Sequence, residues 1–161
     1  PCKCTHCTSP ELHPFIPEHY ISTNILIQIL SNSTFDRLTI SGGEPLDQPE
    51  ALYSILRQIR CYYKDILIYT GYDLENFSKE QLCTVSMADV VITGPYQEAF
   101  DDGCILKGSN NQHMYFTSRC RNELTVDYLT YIQKNSKRLQ EYICYGNNII
   151  EVGIPDSTST I

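Results

Sequence analysis

Apolar residues recur along the chain in two rhythms. Residues 36–41 (Asp36-Arg37-Leu38-Thr39-Ile40-Ser41) read as a short strand that runs into the turn Gly42-Gly43-Glu44-Pro45. Behind it Ala51, Leu52, Ile55, Leu56 and Ile59 fall at helical spacing and make one stripe for a core. Asp47 is the expected N-cap of this helix, with Pro49 in its first turn and Glu50 three residues after the cap. The next segment, 64–70, is apolar on both faces and stops at Gly71, the signature of a strand covered on both sides. A shorter helix over 78–84 leads to Ala88-Asp89-Val90-Val91-Ile92-Thr93, again closed by a glycine, Gly94. Strand, helix, strand, helix and strand joined by short links predict right-handed βαβ units and a parallel sheet.

The flanks are less periodic. Upstream, Pro17-Glu18 opens an expected helix to about residue 30; downstream, 100–112 is polar and glycine-containing, hence loop. Residues 128–139 suit a helix, and 140–145 with 149–154 suit a hairpin turning across Gly146-Asn147-Asn148. No internal repeat, low-complexity tract or linker interrupts the chain, so 1–161 reads as one domain.

Composition narrows the function. With 161 residues, 42% hydrophobic and 19% charged, the chain is long enough for a real core. A net charge of −7 argues against nucleic acid or an anionic membrane surface as the partner. The longest apolar run, Ile25-Leu26-Ile27-Gln28-Ile29-Leu30, is far short of a membrane span. Eight cysteines allow a disulfide framework. Five of them, Cys61, Cys83, Cys104, Cys120 and Cys144, stand singly in apolar or mixed segments, as small hydrophobes do. A reducing, cytoplasmic setting is expected.

The other three open the chain: Cys2-Lys3-Cys4-Thr5-His6-Cys7. Cysteines this close converge on one point, a metal ion or an iron–sulfur cluster. Taken alone, the Cys4–Cys7 pair is also half a zinc site, with His6, His13 and His19 as further ligands, or a redox pair. A zinc knuckle lacks a second pair nearby, and Pro10 and Pro14 break the helix a thioredoxin-like motif requires. Three expected strand ends carry glycine turns: Ser41-Gly42-Gly43-Glu44-Pro45, Thr70-Gly71-Tyr72 and Thr93-Gly94-Pro95-Tyr96. In open parallel sheets ligands bind at the carboxyl ends of strands, so three such turns together suggest a site, although each alone is an ordinary turn.

Read jointly, Cys4-x-x-Cys7, Thr39-Ile40-Ser41-Gly42-Gly43-Glu44-Pro45-Leu46 and Ile68-Tyr69-Thr70-Gly71-Tyr72 resemble the radical S-adenosylmethionine (radical SAM) enzymes. Among these, the chain is similar to the small activating proteins of anaerobic ribonucleotide reductase. Residues 89–96 resemble that group's strand followed by "DGPF", 106–112 its "GSSNQ" loop, and 152–155 its terminal "VGIP". Two positions depart from the pattern, Thr93 and His113, where relatives more often carry Asp and Arg; if these contact the partner, the target differs.

The resemblance implies an α/β fold, an incomplete parallel (β/α) barrel, with a 4Fe-4S cluster and S-adenosylmethionine as cofactors. Cys4 and Cys7 match the second and third cysteines of CxxxCxxC, and the first would lie just before Pro1. The expectation is therefore a chain lacking its first strand and first ligand, with Cys2 a bystander; the alternative is a Cys2, Cys4, Cys7 triad. Gly42, Gly43 and Glu44 would line the methionine part of S-adenosylmethionine, and His6 would approach its adenine. An electron from the reduced cluster would break the sulfonium C–S bond to give a 5′-deoxyadenosyl radical. The implied partner is a glycyl-radical enzyme, anaerobic ribonucleotide reductase, with a flavodoxin- or ferredoxin-type reductant. Modification of another peptide or small molecule, or a non-catalytic zinc or cluster module, are the competing functions.

Overall fold

A computed structural model describes residues 7, 10, 14, 16–120, 123–136, 141–145 and 148–152. Its centre is a four-stranded sheet in the order β1 (Arg37–Ile40), β2 (Asp65–Tyr69), β3 (Val90–Thr93), β4 (His113–Phe116). The first three strands are parallel and are joined by α2 (Pro49–Ile59) and α3 (Lys79–Val85), as the alternation of patterns predicts. β4 pairs antiparallel to β3, with Val90 opposite Phe116 and Thr93 opposite His113. The expectation of an all-parallel sheet is thus corrected to a mixed, open one. β4 escapes the sequence reading because it is four residues long and alternates exposed and half-buried positions directly after a polar loop.

Helices cover one face of the sheet. The period of two along each strand turns Leu38 and Ile40 of β1, Ile66 and Ile68 of β2, and Val91 of β3 to the same core. Leu52, Ile55, Leu56 and Ile59 of α2 meet them there, with Leu26, Ile27 and Leu30 of α1 (Thr23–Ser31) packed alongside. Leu56, Ile59, Ile66 and Ile68 are fully buried, so this layer is the hydrophobic centre of the fold.

Two helix starts differ from expectation for physical reasons. The expected helix from residue 17 is a single 3-10 turn, Pro17–His19, and α1 begins only at Thr23 after the extended residues Tyr20 and Ser22. Asp47 does not cap α2. It closes a 3-10 turn, Pro45–Asp47, and Gln48 is the cap. The Asp47 carboxylate instead accepts a hydrogen bond from Tyr72 Oη at 2.6 Å, so a tertiary partner has outcompeted the local one. α3 follows its sequence signal: Ser78 and Gln81 form a reciprocal capping box.

Beyond the sheet, α4 spans Glu123–Asn135, earlier than the predicted 128–139. Its Thr125 Oγ1 donates to Asp65 Oδ1 at the start of β2, and Cys104 Sγ reaches Gln133 O, so both of its ends are tied to the body. The predicted hairpin is present as β5 (Glu141–Tyr145) and β6 (Asn148–Val152). Tyr145 pairs with Asn148, so the connection is residues 146–147, one residue shorter than expected. Among the described residues no helix is long and apolar enough to cross a membrane.

Candidate functional site

The carboxyl ends of β1, β2 and β3 are chained together by hydrogen bonds. After β1, Gly42 and Gly43 take φ of 82° and 50°, left-handed conformations that a side chain would strain. Glu44 follows, and its carboxylate is the hub. Oε1 accepts from Leu46 N at 2.9 Å and from Thr70 Oγ1 at 2.7 Å, while Oε2 accepts from Gly71 N at 2.8 Å. The glycine turn on β1 is thereby stapled to the end of β2. Thr70 is 3% exposed, and its hydroxyl also accepts from Tyr72 N at 3.2 Å. Tyr72 carries the chain onward: its carbonyl accepts from Gly94 N at the end of β3.

Gly94, at φ 103°, is held from the other side by the loop that follows. A Cβ there would lie 3.5 Å from Asp73 Oδ1, an ordinary contact, so backbone conformation rather than space requires glycine. Its carbonyl accepts from Gln112 Nε2 at 2.8 Å, and Gln112 Oε1 accepts from Gly108 N and Ser109 N. Asn111 Nδ2 donates to Pro95 O at 2.8 Å, and Ser109 Oγ accepts from Gln97 N. The loop expected over 100–112 is therefore a clipped structure seated on the third strand end. Sequence reasoning marked these residues only through the "GSSNQ" resemblance; the run of small polar residues ending in Gln112 is the signal of a self-bonded loop.

Of the predicted site residues, Gly42, Gly43 and Glu44 come together with Thr70, Gly71, Tyr72 and Asp47. Cys7 is half-buried. Cys2, Cys4 and His6 lie outside the described residues, as do His13 and the 153–155 stretch. Among the described residues, no three His, Cys, Asp or Glu side chains gather into a metal site. Thr93, one of the two departures, is 2% exposed within β3 and so offers no surface to a partner, whereas His113 is exposed at the start of β4.

Tyr69, the last residue of β2, points its phenol at the loop and donates to Leu106 O at 2.7 Å. Burial, with Cys104 beside it, pushes this phenol up from 10.0 to about 12. A folded value raised above the unfolded one stabilises the fold fully below pH 10.0, and the contribution is lost as pH rises towards about 12. Tyr69→Phe is expected to cost on the order of 1 kcal/mol at neutral pH through the lost hydrogen bond. The gap between wild type and variant should then close in alkaline unfolding curves; a gap that stays constant to the alkaline limit would contradict the assignment.

An α/β sheet covered by helices on one face, whose three parallel strands end in linked glycine turns, follows a cysteine-rich segment in sequence: this is an α/β domain with a candidate ligand site at its strand ends. The chain belongs to the family of 4Fe-4S single cluster domains, whose model matches residues 1–115. The cofactor of that family is a single 4Fe-4S cluster. Among curated proteins, the chain is similar to the anaerobic ribonucleoside-triphosphate reductase-activating protein of Haemophilus influenzae, 38% identical over 80 residues, 47% of this chain and 52% of the relative. The proteins of the same name from Escherichia coli K12 and Enterobacteria phage T4 are 33% identical over 81 residues and 31% over 90. These alignments take in 47% and 53% of this chain, and 52% and 56% of the respective relatives. The chain spans about half the length of the curated relatives it matches. No solved structure gives a significant match.

Proposed function

We propose that the chain is a radical S-adenosylmethionine activating enzyme, a cytoplasmic partner of a glycyl-radical enzyme of the anaerobic ribonucleotide reductase type. A flavodoxin- or ferredoxin-type protein would be its reductant. On this reading the open sheet is the wall of an incomplete (β/α) barrel, with the cofactors at its carboxyl rim. The observation that carries the proposal is the bonding of Glu44 to Thr70 and Gly71, which holds a glycine turn rigid at that rim. It occurs in a chain whose family match takes in the cysteine segment.

The donor chemistry fits a cluster: soft thiolates of Cys4 and Cys7, with a third cysteine, suit iron–sulfur ligation and leave one iron open. That iron would receive the amino and carboxylate groups of S-adenosylmethionine. When bound and reduced, the cluster supplies the single electron that cleaves the sulfonium C–S bond. The rest falls to the chain. Ser41 to Pro45 would line the methionine part, Glu44 or the adjoining backbone would meet its ammonium group, and His6 with the residues around Cys7 would approach the adenine. Side-chain acid–base catalysis has no part in this scheme; positioning and the exclusion of water are the protein's contribution.

Anaerobic reconstitution with iron and sulfide tests it. The expected result is brown protein with a visible cluster band that reductively cleaves S-adenosylmethionine to 5′-deoxyadenosine. Colourless protein carrying stoichiometric zinc would overturn the reading. A glycyl-radical EPR signal raised in the reductase, and not in unrelated peptides, would separate activation from modification of another substrate.

A further inference from the structure

We propose that Thr70 is a positioning residue for S-adenosylmethionine, acting through Glu44 on the Gly42-Gly43 turn. The inference rests on the reading of the site given above and adds a residue that would act through Glu44. Two consecutive glycines at positive φ make a pliable backbone, and an untied turn of that kind samples many states. A turn that must present its backbone groups to a ligand loses affinity for every state it samples uselessly. The turn is not untied here. Its next residue, Glu44, is fixed by three hydrogen bonds, and two of the donors belong to residues Thr70 and Gly71 at the end of β2.

Of those donors, only Thr70 offers a side chain that can be altered without touching the backbone. Its hydroxyl is directional at both ends, donating to Glu44 Oε1 at 2.7 Å and accepting from Tyr72 N at 3.2 Å. Its own amide is bonded to Ile92 O on β3 at 2.9 Å, so the anchor is built into the middle of the sheet. At 3% exposure the hydroxyl is shielded from competing water. A valine has the same shape and cannot make either bond. A serine keeps both.

The test is equilibrium dialysis of the anaerobically reconstituted protein with radiolabelled S-adenosylmethionine, well below the unfolding temperature. Thr70→Val is expected to keep the wild-type cluster band while its dissociation constant rises about tenfold, the equivalent of one well-formed hydrogen bond. Thr70→Ser should return it to within about twofold, since the hydroxyl is restored. Valine protein that is folded, clustered and binds as tightly as wild type sinks the positioning role and leaves the functional reading intact. Wild-type protein that fails to bind S-adenosylmethionine takes down both. Should the valine variant not fold, hydrogen exchange on wild type decides instead. The Leu46 and Gly71 amides must be protected before any S-adenosylmethionine is added; free exchange of both until it binds would show that the turn is not held in advance.

Discussion

Replacing Cys7 with alanine is expected to leave the protein colourless after anaerobic reconstitution, with iron and acid-labile sulfide falling from about one cluster per chain to nearly none. The effect is all or nothing because a site-differentiated cluster has three thiolate ligands and no spare, and the opening segment of this chain offers just three cysteines, Cys2, Cys4 and Cys7. Removing one leaves two, and a cluster so held is readily lost to solvent or to stronger thiolate ligands. Cys7 is half-buried, and the continuously described segment 16–120 follows it. Cys61 and Cys83 are exposed and stand outside any disulfide, which makes Cys61→Ala and Cys83→Ala the matched controls. Both should retain wild-type iron and the full visible band. Wild-type iron in the Cys7→Ala protein would remove this thiolate from the ligand set and with it the alignment to CxxxCxxC. Zinc binding lost in parallel, with no colour in wild type, would instead favour the metal-module alternative.

The parts of the fold that were legible in the sequence are those where one local signal had no tertiary rival. The α2 stripe from Leu52 to Ile59 could be read directly, because burial on a sheet leaves its period in the sequence; the apolar run of β2 marked a strand, but only the face of Ile66 and Ile68 is fully buried, not both faces as expected. The short helix over 78–84 was legible too, and the structure starts it with a Ser78–Gln81 capping box. Asp47 shows the opposite case. It carries a good cap signal, yet the phenol of Tyr72, 25 residues away in sequence, takes its carboxylate. β4 was hidden because strand pairing with β3 is a long-range fact and its four residues lack a two-sided apolar run.

The candidate site divides along the same line. Glycines at three strand ends could be recognised one by one, and at two of those ends, Gly42-Gly43 and Gly94, a φ above zero is what calls for glycine. Their linkage through Glu44, Thr70 and Gly71 could not, because nothing in the spacing of residues 44 and 70 says that they meet. Glu44 was read as a carboxylate for an ammonium group; the structure also makes it the residue that joins two strand ends. The second role does not need the first, and it explains why a glutamate follows the paired glycines even before any ligand is considered.

Asp89 is where the largest loss of stability is expected. It sits at the head of an apolar strand, is 2% exposed, and would be an error there without partners. Both of its oxygens accept from Arg60 Nη2 at 2.8 Å, and Oδ2 also accepts from Ile66 N at 2.7 Å. Arg60 in turn donates to the carbonyls of Tyr63 and Lys64. The backbone of Asp89 bonds Ile66 O on one side and Thr117 N on the other. One residue thus joins the exit of α2, the start of β2, the start of β3 and the segment after β4. Asp89→Ala leaves Arg60 facing no carboxylate and the Ile66 amide without its acceptor, a loss of about 3–5 kcal/mol. Against a domain stability of about 5–15 kcal/mol that is a large fraction, and it should lower Tm by roughly 6–20 °C. Asp89→Asn, which can still accept from Ile66, should lose about half as much. Asp89→Ala combined with Arg60→Ala should lose clearly less than the two single losses added. The pH dependence gives an independent check. Burial pushes the Asp89 carboxyl above the ordinary Asp value of 3.8, against the downward pull of the Ile66 amide and Arg60. A folded value that is raised gives a contribution complete below the unfolded value and diminished as pH rises through the folded one. The stability gap between wild type and Asp89→Asn should therefore be at least as wide in the carboxylate range as at neutral pH. A gap that collapses on acidification would mean that the ion pair with Arg60 outweighs the cost of burying the charge.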